Sequence, residues 1–375
     1  MHPYFNIMTK KALRIVFMGT PDFAVESLRA LVEEGYQVVG VVTMPDKPAG
    51  RHGNVLQLSA VKQYALAQGL PVLQPEKLKD ESFLEALRSL QADLQIVVAF
   101  RMLPEVVWNM PRFGSFNLHA SLLPQYRGAA PINWAIINGE TVTGVTTFFL
   151  TYGIDTGQII LQREWPITEN DDAGHLHDAL MALGAKTVIK TVDLLIEKDG
   201  HLVTIPQETL LKAGDTDATF LRPAPKIFHD TCRVDWRQPI AYLYNFIRGL
   251  SPYPAAWTEL INPSGVCTSI KLLASEKIYE NHELPPGTIR TGRLTPLPEP
   301  QTYNDLHTGG KNIKRRTLEE PKSHDAIRAN SKHCLDVAAT DGFIRILSLQ
   351  SAGKKRMSAH DFLNGVKIDS KWKMS

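Results

Sequence analysis

The chain has 375 residues and a formal net charge of +2; 43% of its residues are hydrophobic and 21% are charged. This is the composition of a globular protein long enough for two or three domains, and no apolar run reaches the roughly 20 residues of a membrane helix. The three cysteines lie far apart without a C-x-x-C pair, which argues against a disulfide framework or a zinc cluster and favours a reducing compartment.

The amino-terminal segment, MHPYFNIMTKK, contains no apolar core of a signal peptide, so we expect a cytoplasmic protein without membrane association. Met8 is a second candidate for the native start, because MTKKALRIVF leads directly into the first predicted strand. That strand, 13–19, is followed by a helix over 20–35 in which we expect Thr20 to be the N-cap and Pro21 the first helical residue.

Residues 1–204 predict a Rossmann-like domain with a mostly parallel sheet, because buried apolar strands alternate with helices through short connections. The predicted strands are 13–19, 36–43, 71–74, 92–100, 113–120, 144–151 and 158–167, and the predicted helices are 20–35, 59–69, 81–90, 131–139 and 173–198. The loop 44–54 separates the second strand from the second helix.

The first strand–helix turn does not carry a dinucleotide-binding fingerprint. A G-x-G-x-x-G motif needs glycines where the backbone approaches a pyrophosphate, and here only Gly19 is present. Pro21 also removes a backbone donor from the turn. The sequence therefore predicts this class of fold without its nicotinamide cofactor, which argues against a dehydrogenase.

The second half of the chain has a different pattern. Residues 205–225 lack strong periodicity and predict a linker, whereas 226–375 contain one helix and several short β-rich segments typical of a small barrel. Within that domain, 291–332 is rich in proline, glycine and charge, so we expect a mobile insertion. Its KNIKRR segment (311–316) either contacts phosphates or forms a solvated loop.

Charge is unevenly divided between the two halves. From residue 226 onward there are 22 Lys and Arg against 15 Asp and Glu, whereas the preceding part has 19 against 24. A basic carboxyl-terminal part beside an acidic amino-terminal part is a weak indication of a nucleic-acid partner.

Three polar residues predict a catalytic site at the carboxyl ends of the strands, where ligands bind in open α/β sheets. Asn117 and His119 are two residues apart on a strand and so share one face, although such a pair can also be a hydrogen-bonded part of a core. Asp155 follows the next strand in the turn YGIDTG, where it either serves the site or bonds its own turn. An amide, an imidazole and a carboxylate suit acyl transfer to an amine, and no G-x-S-x-G elbow is present.

The motifs FNLHASLLPQYRGAAPINWAIING and GIDTG resemble the signature of the folate-dependent formyltransferases. The segments GTPDFAV, PDKPAGR and LSLQSAGKKRMSAHDFL narrow the resemblance to members that act on methionyl-initiator tRNA. The resemblance covers nearly the whole chain. It implies a Rossmann-like domain joined to an OB-like barrel, and it implies that Asn117, His119 and Asp155 are catalytic.

The resemblance also implies the co-substrate and the partners. The formyl donor would be 10-formyltetrahydrofolate, bordered by Ser121, Leu122, Leu123 and Pro124, and the acceptor would be methionyl-initiator tRNA bound by a monomer. The family's tRNA-binding loop corresponds to Arg51, but HGN follows it where relatives often have lysines. Lys354 and Lys355 are further candidates for tRNA contact, or else a solvated turn. No metal is expected, because the histidines of HLHD (175–178) point apart on a helix.

Several alternatives share this chemistry or this fold. Formyl transfer to glycinamide ribonucleotide or to a sugar amine, and hydrolysis of formyl-folate, are disfavoured by the additional barrel and the PAGR loop. A non-catalytic RNA-binding protein is disfavoured by the intact trio Asn117, His119 and Asp155.

Overall fold

The computed structural model describes residues 8–49, 55–211, 221–293 and 333–375. The chain divides into two compact units, Met1–Ile227 and Phe228–Ser375. Within the described ranges, no helix is both long enough and apolar enough to cross a membrane.

The first unit contains a seven-stranded sheet in the order β5-β2-β1-β6-β7-β8-β9. Neighbours from β5 to β7 are parallel, whereas β7, β8 and β9 pair antiparallel, so the prediction of a mostly parallel sheet is confirmed. The strands, including a separate pair β3 and β4, are β1 (Arg14–Gly19), β2 (Gln37–Val42), β3 (Lys47–Ala49), β4 (Val55–Gln57), β5 (Val72–Leu73), β6 (Leu94–Val98), β7 (Ser115–His119), β8 (Val142–Phe149) and β9 (Ile159–Pro166). The helices are α1 (Asp22–Glu33), α2 (Ala60–Ala67), α3 (Glu81–Ser89), α4 (Glu105–Trp108), α5 (Pro131–Ile137) and α6 (Ala173–Glu197).

The central strand β1 is buried on both faces, which explains its unbroken apolar sequence. Ile15 and Phe17 belong to the hydrophobic cluster that includes residues of α1 and α6. Val16 and Met18 belong to a second cluster, which includes Phe83 of α3. Because side chains alternate along a strand, these two sets face opposite sides of the sheet, and helices cover both.

The start of α1 differs from the sequence prediction. The helix begins at Asp22, and Pro21, with φ −77° and ψ 175°, takes the N-cap position without a side-chain cap. The hydroxyl of Thr20 is buried without a hydrogen-bond partner, so the expected Thr20 cap is wrong. The physical reason is that Pro21 itself has an extended ψ, so it takes the non-helical N-cap position and the helix begins one residue later than expected.

The predicted loop 44–54 is partly ordered as a hairpin. Strands β3 and β4 pair antiparallel, with Lys47 opposite Gln57. At the base of the hairpin, Asp46 accepts from Lys62 at 2.5 Å and from the Gln74 amide at 2.9 Å. Arg51, the predicted tRNA contact, lies outside the described residues.

The described parts of the predicted linker pack against the first unit. Ile205 pairs with Ile159 through two backbone hydrogen bonds of 2.8 and 2.9 Å. Ala224 is fully buried, and its carbonyl accepts from the backbone N–H of Ala129 at 2.7 Å. These segments are therefore part of the same compact unit as the sheet.

The second unit contains an antiparallel sheet in the order β12-β13-β14-β11-β10-β16 that closes almost completely into a barrel, as the OB-like prediction required. A bridge between Thr288, just before β12, and Lys373 of β16 brings the two edge strands together. The strands are β10 (Ala256–Ile261), β11 (Cys267–Ile278), β12 (Ile289–Arg293), β13 (His333–Ala338), β14 (Phe343–Ser351), β15 (Met357–Ser358) and β16 (Lys373–Met374), and the helices are α7 (Ile240–Leu250) and α8 (Ala359–Gly365).

The predicted insertion 291–332 overlaps one strand. Thr291, Gly292 and Arg293 belong to β12, and Arg293 is paired with His333 of β13. Residues 294–332 lie outside the described part of the chain. The two residues that flank this segment, Arg293 and His333, are therefore direct neighbours on the paired strands β12 and β13.

The exposure of the three cysteines predicts how fast each thiol reacts. Cys267 is exposed, whereas Cys232 and Cys334 are buried. Burial raises the pKa of both buried thiols, which lowers their reactive thiolate fraction. We expect an aromatic disulfide reagent to modify one thiol rapidly in the native protein and all three in denaturant. Cys267→Ser should abolish the rapid phase, and two rapid thiols in the native protein would contradict this assignment.

Candidate active site

His119 is the last residue of β7, and its ring is held in one orientation. The side chain is only 6% exposed, and Nε2 lies 2.8 Å from the backbone carbonyl oxygen of Tyr126. Because a carbonyl only accepts, Nε2 carries the proton and donates it in this contact. In the neutral ring Nδ1 therefore carries the lone pair, and it is the nitrogen left for chemistry.

Asp155 lies beside the free nitrogen of His119 without bonding to it. Its Oδ2 is 3.8 Å from Nδ1, which is too long for a hydrogen bond but close enough to stabilise a positive charge on the ring. The same oxygen accepts from the backbone N–H of Gly128 at 2.9 Å. The structure thus brings the two residues together as the sequence predicted, with a gap between them.

The side-chain amide of Asn117 is available to hydrogen-bond a ligand. It lies two positions before His119 on β7, so the two side chains share a face of the strand. It is half-buried, and across the described residues its side chain has no hydrogen-bond partner. An amide in this state can donate to a ligand oxygen without first losing an internal bond.

The predicted folate turn, Ser121–Pro124, is compact and largely buried. The Ser121 hydroxyl donates to the carbonyl of Gln125 at 2.7 Å, so it stabilises the turn itself. Leu123 packs in a small cluster with Phe148 and Ile159, and Pro124 is buried. Leu122 is half-buried. A wall of a folate pocket built from this turn would therefore be formed by side-chain carbon and backbone atoms.

Two polar residues that sequence reasoning missed support the same turn. Thr146 of β8 donates its hydroxyl to the Ser121 carbonyl at 2.6 Å. The amide of Gln162 on β9 donates to the Leu123 carbonyl at 2.9 Å. The sequence signal that could have indicated this arrangement is the hydroxyl of Thr146 within a continuously buried strand, where it needs a hydrogen-bond partner.

Tyr126, which sequence reasoning also missed, orients the His119 ring through its backbone carbonyl. It has a φ of +62°, an unusual conformation for a non-glycine residue. Its phenol donates to Glu140 at 2.5 Å, and Arg222 pairs with the same carboxylate at 2.6 Å. Burial, and then the hydrogen bond to Glu140, raise the pKa of the phenol, which remains a donor. The backbone N–H of Tyr126 also donates to the Arg222 carbonyl at 2.7 Å, so backbone and side-chain contacts together hold the Tyr126 carbonyl that accepts from His119.

Two of the basic residues predicted to bind tRNA, Lys354 and Lys355, belong to the second unit. Lys354 and Lys355 are exposed in the turn between β14 and β15 of the second unit. The neighbouring Arg356 donates from Nε to the Ser348 hydroxyl at 2.9 Å. In the described ranges, no group of three or more His, Cys, Asp or Glu side chains could hold a metal ion.

Comparison with known proteins identifies what this chain is similar to. Residues 13–192 match the family described as formyl transferase, and 226–297 and 298–367 match the formyl transferase C-terminal domain. The methionyl-tRNA formyltransferase of Parabacteroides distasonis is 61% identical and aligns over 96% of this chain and 98% of that protein. The methionyl-tRNA formyltransferase of Bacteroides fragilis is 55% identical over 98% of this chain and 99% of that protein.

Solved structures share the fold at low sequence identity. HypX from Aquifex aeolicus, solved with tetrahydrofolic acid, has a TM-score of 0.55 and 16% identity, covering 95% of this chain and 48% of that chain. An N-formyltransferase from Helicobacter canadensis, solved with folinic acid and dTDP-3-aminofucose, has a TM-score of 0.50 and 18% identity, covering 90% of this chain and 99% of that chain.

Proposed function

Because the chain belongs to the formyl transferase family, we propose that it transfers the formyl group of 10-formyltetrahydrofolate to the α-amine of methionyl-initiator tRNA. The chain is a formyltransferase, and curated relatives at 55–61% identity over nearly their full length are methionyl-tRNA formyltransferases. The observation that carries the proposal is that the His119 ring and the Asp155 carboxylate lie 3.8 Å apart, and that Asn117 shares the face of β7 from which His119 projects.

The reaction is a direct attack of the amine on the formyl carbon. The amine must be neutral to attack, and a free α-amine titrates near pH ~7.7–8.0. A new C–N bond forms, the formyl oxygen becomes an oxyanion, and the amine nitrogen must lose a proton. The bond from the carbon to N10 of the folate then breaks, and N10 takes up a proton. The products are N-formylmethionyl-tRNA and tetrahydrofolate.

From the contacts of the site we infer a role for each residue. The free amide of Asn117 donates to the oxyanion. His119 acts through Nδ1, because Nε2 is committed to the Tyr126 carbonyl. The neutral ring accepts the amine proton there, directly or through a water, and the resulting imidazolium donates from Nδ1 to the oxyanion or to the departing nitrogen. The Asp155 carboxylate, 3.8 Å away, stabilises that charge.

We assign the donor and the acceptor to two parts of the chain. The Ser121–Pro124 turn would border the folate with Leu122, Leu123 and Pro124, while Ser121 supports the turn from within. The basic barrel would bind tRNA phosphates, with Lys354 and Lys355 as exposed candidates. We further propose that the protein works as a monomer in the cytoplasm, where translation begins.

A panel of formyl acceptors tests this function. The purified protein is incubated with 10-formyltetrahydrofolate and, in parallel, charged initiator tRNA, glycinamide ribonucleotide, a dTDP-amino sugar or buffer alone. We expect rapid formylation of methionyl-tRNA, with the other reactions slower by several orders of magnitude. Faster formylation of either small amine, or release of formate as the main product, would contradict the proposal.

Substitutions of the basic residues separate tRNA positioning from simple charge attraction. Arg51→Ala should lower the rate at saturating tRNA as well as the affinity, because its loop would present the acceptor end to the site. Replacing Lys354 and Lys355 with alanine should raise KM and leave turnover nearly intact, with a salt dependence flatter by about one unit of slope per lost contact.

Steady-state kinetics at two salt concentrations measure both effects. Lys186→Ala, on the exposed face of α6, is the matched control and should change neither. Unchanged turnover and salt slope for Arg51→Ala would show that this loop does not guide the tRNA.

A further inference from the structure

Gln207 lies in the segment that the sequence predicted to be a linker, yet its side chain is 1% exposed. It begins the short 3-10 helix Gln207–Leu210, two residues after Ile205 pairs with β9. A glutamine is normally found at the surface, and its burial requires that its polar atoms be hydrogen-bonded.

The Gln207 amide connects the two loops that form the catalytic site. Its Nε2 donates to the backbone carbonyls of Asp155 and Gly157, each at 2.8 Å. Its Oε1 accepts from the Arg127 guanidinium, at 2.5 Å from Nη2 and 3.1 Å from Nε. The guanidinium can only donate and the carbonyls can only accept, so the orientation of the amide is determined by its partners.

Asp155 needs such external support because its backbone is strained. Its φ is +53°, a left-handed conformation that a non-glycine residue adopts at a cost. The carboxylate is held from the other side by the N–H of Gly128, which directly follows Arg127. Gln207 therefore restrains both the backbone of Asp155 and the loop that binds its carboxylate.

We propose that Gln207 is a positioning residue for Asp155 in the formyl transfer reaction, a role that rests on the proposed function. It touches neither the formyl carbon nor the amine. By fixing the two carbonyls of the Asp155 turn against the Arg127 loop, it maintains the 3.8 Å separation between the carboxylate and Nδ1 of His119. That separation leaves Nδ1 available to the substrate.

The test compares two substitutions at Gln207 with a neighbouring control. Gln207→Leu has a similar size and removes all four hydrogen bonds, whereas Gln207→Glu retains the Arg127 contact and sets a carboxylate oxygen against two carbonyls. Each should lower kcat by about 10- to 100-fold, the cost of misplacing a catalytic group. KM for tRNA and for folate should stay within about twofold, because binding contacts are unchanged. Gln158→Ala, which removes an exposed side-chain bond to Thr204 beside the same turn, should leave kcat unchanged.

A double-mutant cycle distinguishes positioning from a loss of folded protein. In the Asp155→Asn background, Gln207→Leu should lower kcat by less than about twofold further, because the group that it positions has already lost its charge. All rates are divided by the folate-binding stoichiometry, which counts folded sites. If both Gln207 variants fold too poorly to measure, Arg127→Leu, which frees the acceptor side of the amide, should give the same coupling with Asp155→Asn.

The outcomes separate this inference from the proposed function. If wild-type protein formylates methionyl-tRNA but Gln207→Leu retains full kcat, or if its effect is undiminished in Asp155→Asn, Gln207 is not a positioning residue for Asp155. If wild-type protein formylates a different amine, the proposed function is wrong, and the same cycle measured with that amine still decides the role of Gln207.

Discussion

Replacing His119 with alanine is expected to lower kcat for formyl transfer by about 10²-fold or more. The substitution removes Nδ1, the ring nitrogen that the Tyr126 contact leaves free for the substrate. Asn117→Ala should have an effect of the same order because it removes an unpaired donor from the site. Asp155→Asn, which preserves shape and abolishes charge, should also lower kcat, with KM for tRNA little changed.

The measurement is steady-state formylation with saturating folate and tRNA, and the folate-binding stoichiometry reports the folded fraction of each variant. Tyr126→Phe is the matched control. It removes the phenol bond to Glu140 but retains the backbone carbonyl that binds His119, so its kcat should fall by much less. Near-normal turnover of His119→Ala would show that Nδ1 takes no part in the reaction.

Replacing Gly157 with alanine is expected to reduce both activity and stability. A β carbon at this position would overlap the backbone carbonyl oxygen of Phe149, and the residue is buried. The turn must therefore move, at a cost of about 1–3 kcal/mol in the free energy of unfolding. The same movement displaces the Gly157 and Asp155 carbonyls from Gln207, so kcat should fall by about 10²-fold.

Thermal unfolding and kcat are measured for this variant beside Gly365→Ala. A β carbon at Gly365 would meet no atom within 4 Å, so kcat should be unchanged there and the resistance to thermal unfolding should not fall. Wild-type turnover in Gly157→Ala would mean that the geometry of the Asp155 turn is not needed for catalysis.

The fold could be predicted from the sequence where local pattern and burial agree. The apolar run of β1 required burial on both faces, and the two clusters on either side of it satisfy that requirement. The hairpin of β3 and β4 could not be predicted, because Pro48 and the surrounding polar residues suggest a loop. The Thr20 cap failed because the proline after it delays the start of the helix.

The candidate site could be predicted only in part. The spacing of Asn117 and His119 along one strand sufficed to place them on a common face. Their distance from Asp155 depends on Gln207 and Tyr126, whose roles arise from contacts between segments far apart in sequence. An isolated glutamine in a segment without periodicity gives no signal of such a role. The catalytic roles assigned to the trio remain predictions.

A crystal structure with a non-transferable analogue of 10-formyltetrahydrofolate tests the central claim most directly. The distances to be measured run from the carbon in the formyl position to Nδ1 of His119 and to the amide nitrogen of Asn117. The account predicts both within about 3.5–4 Å, the distance from the carbon at which a nitrogen can hydrogen-bond the formyl oxygen, with the pterin against the Ser121–Pro124 turn. A formyl position more than about 6 Å from Nδ1, or a folate bound to the barrel, would contradict it.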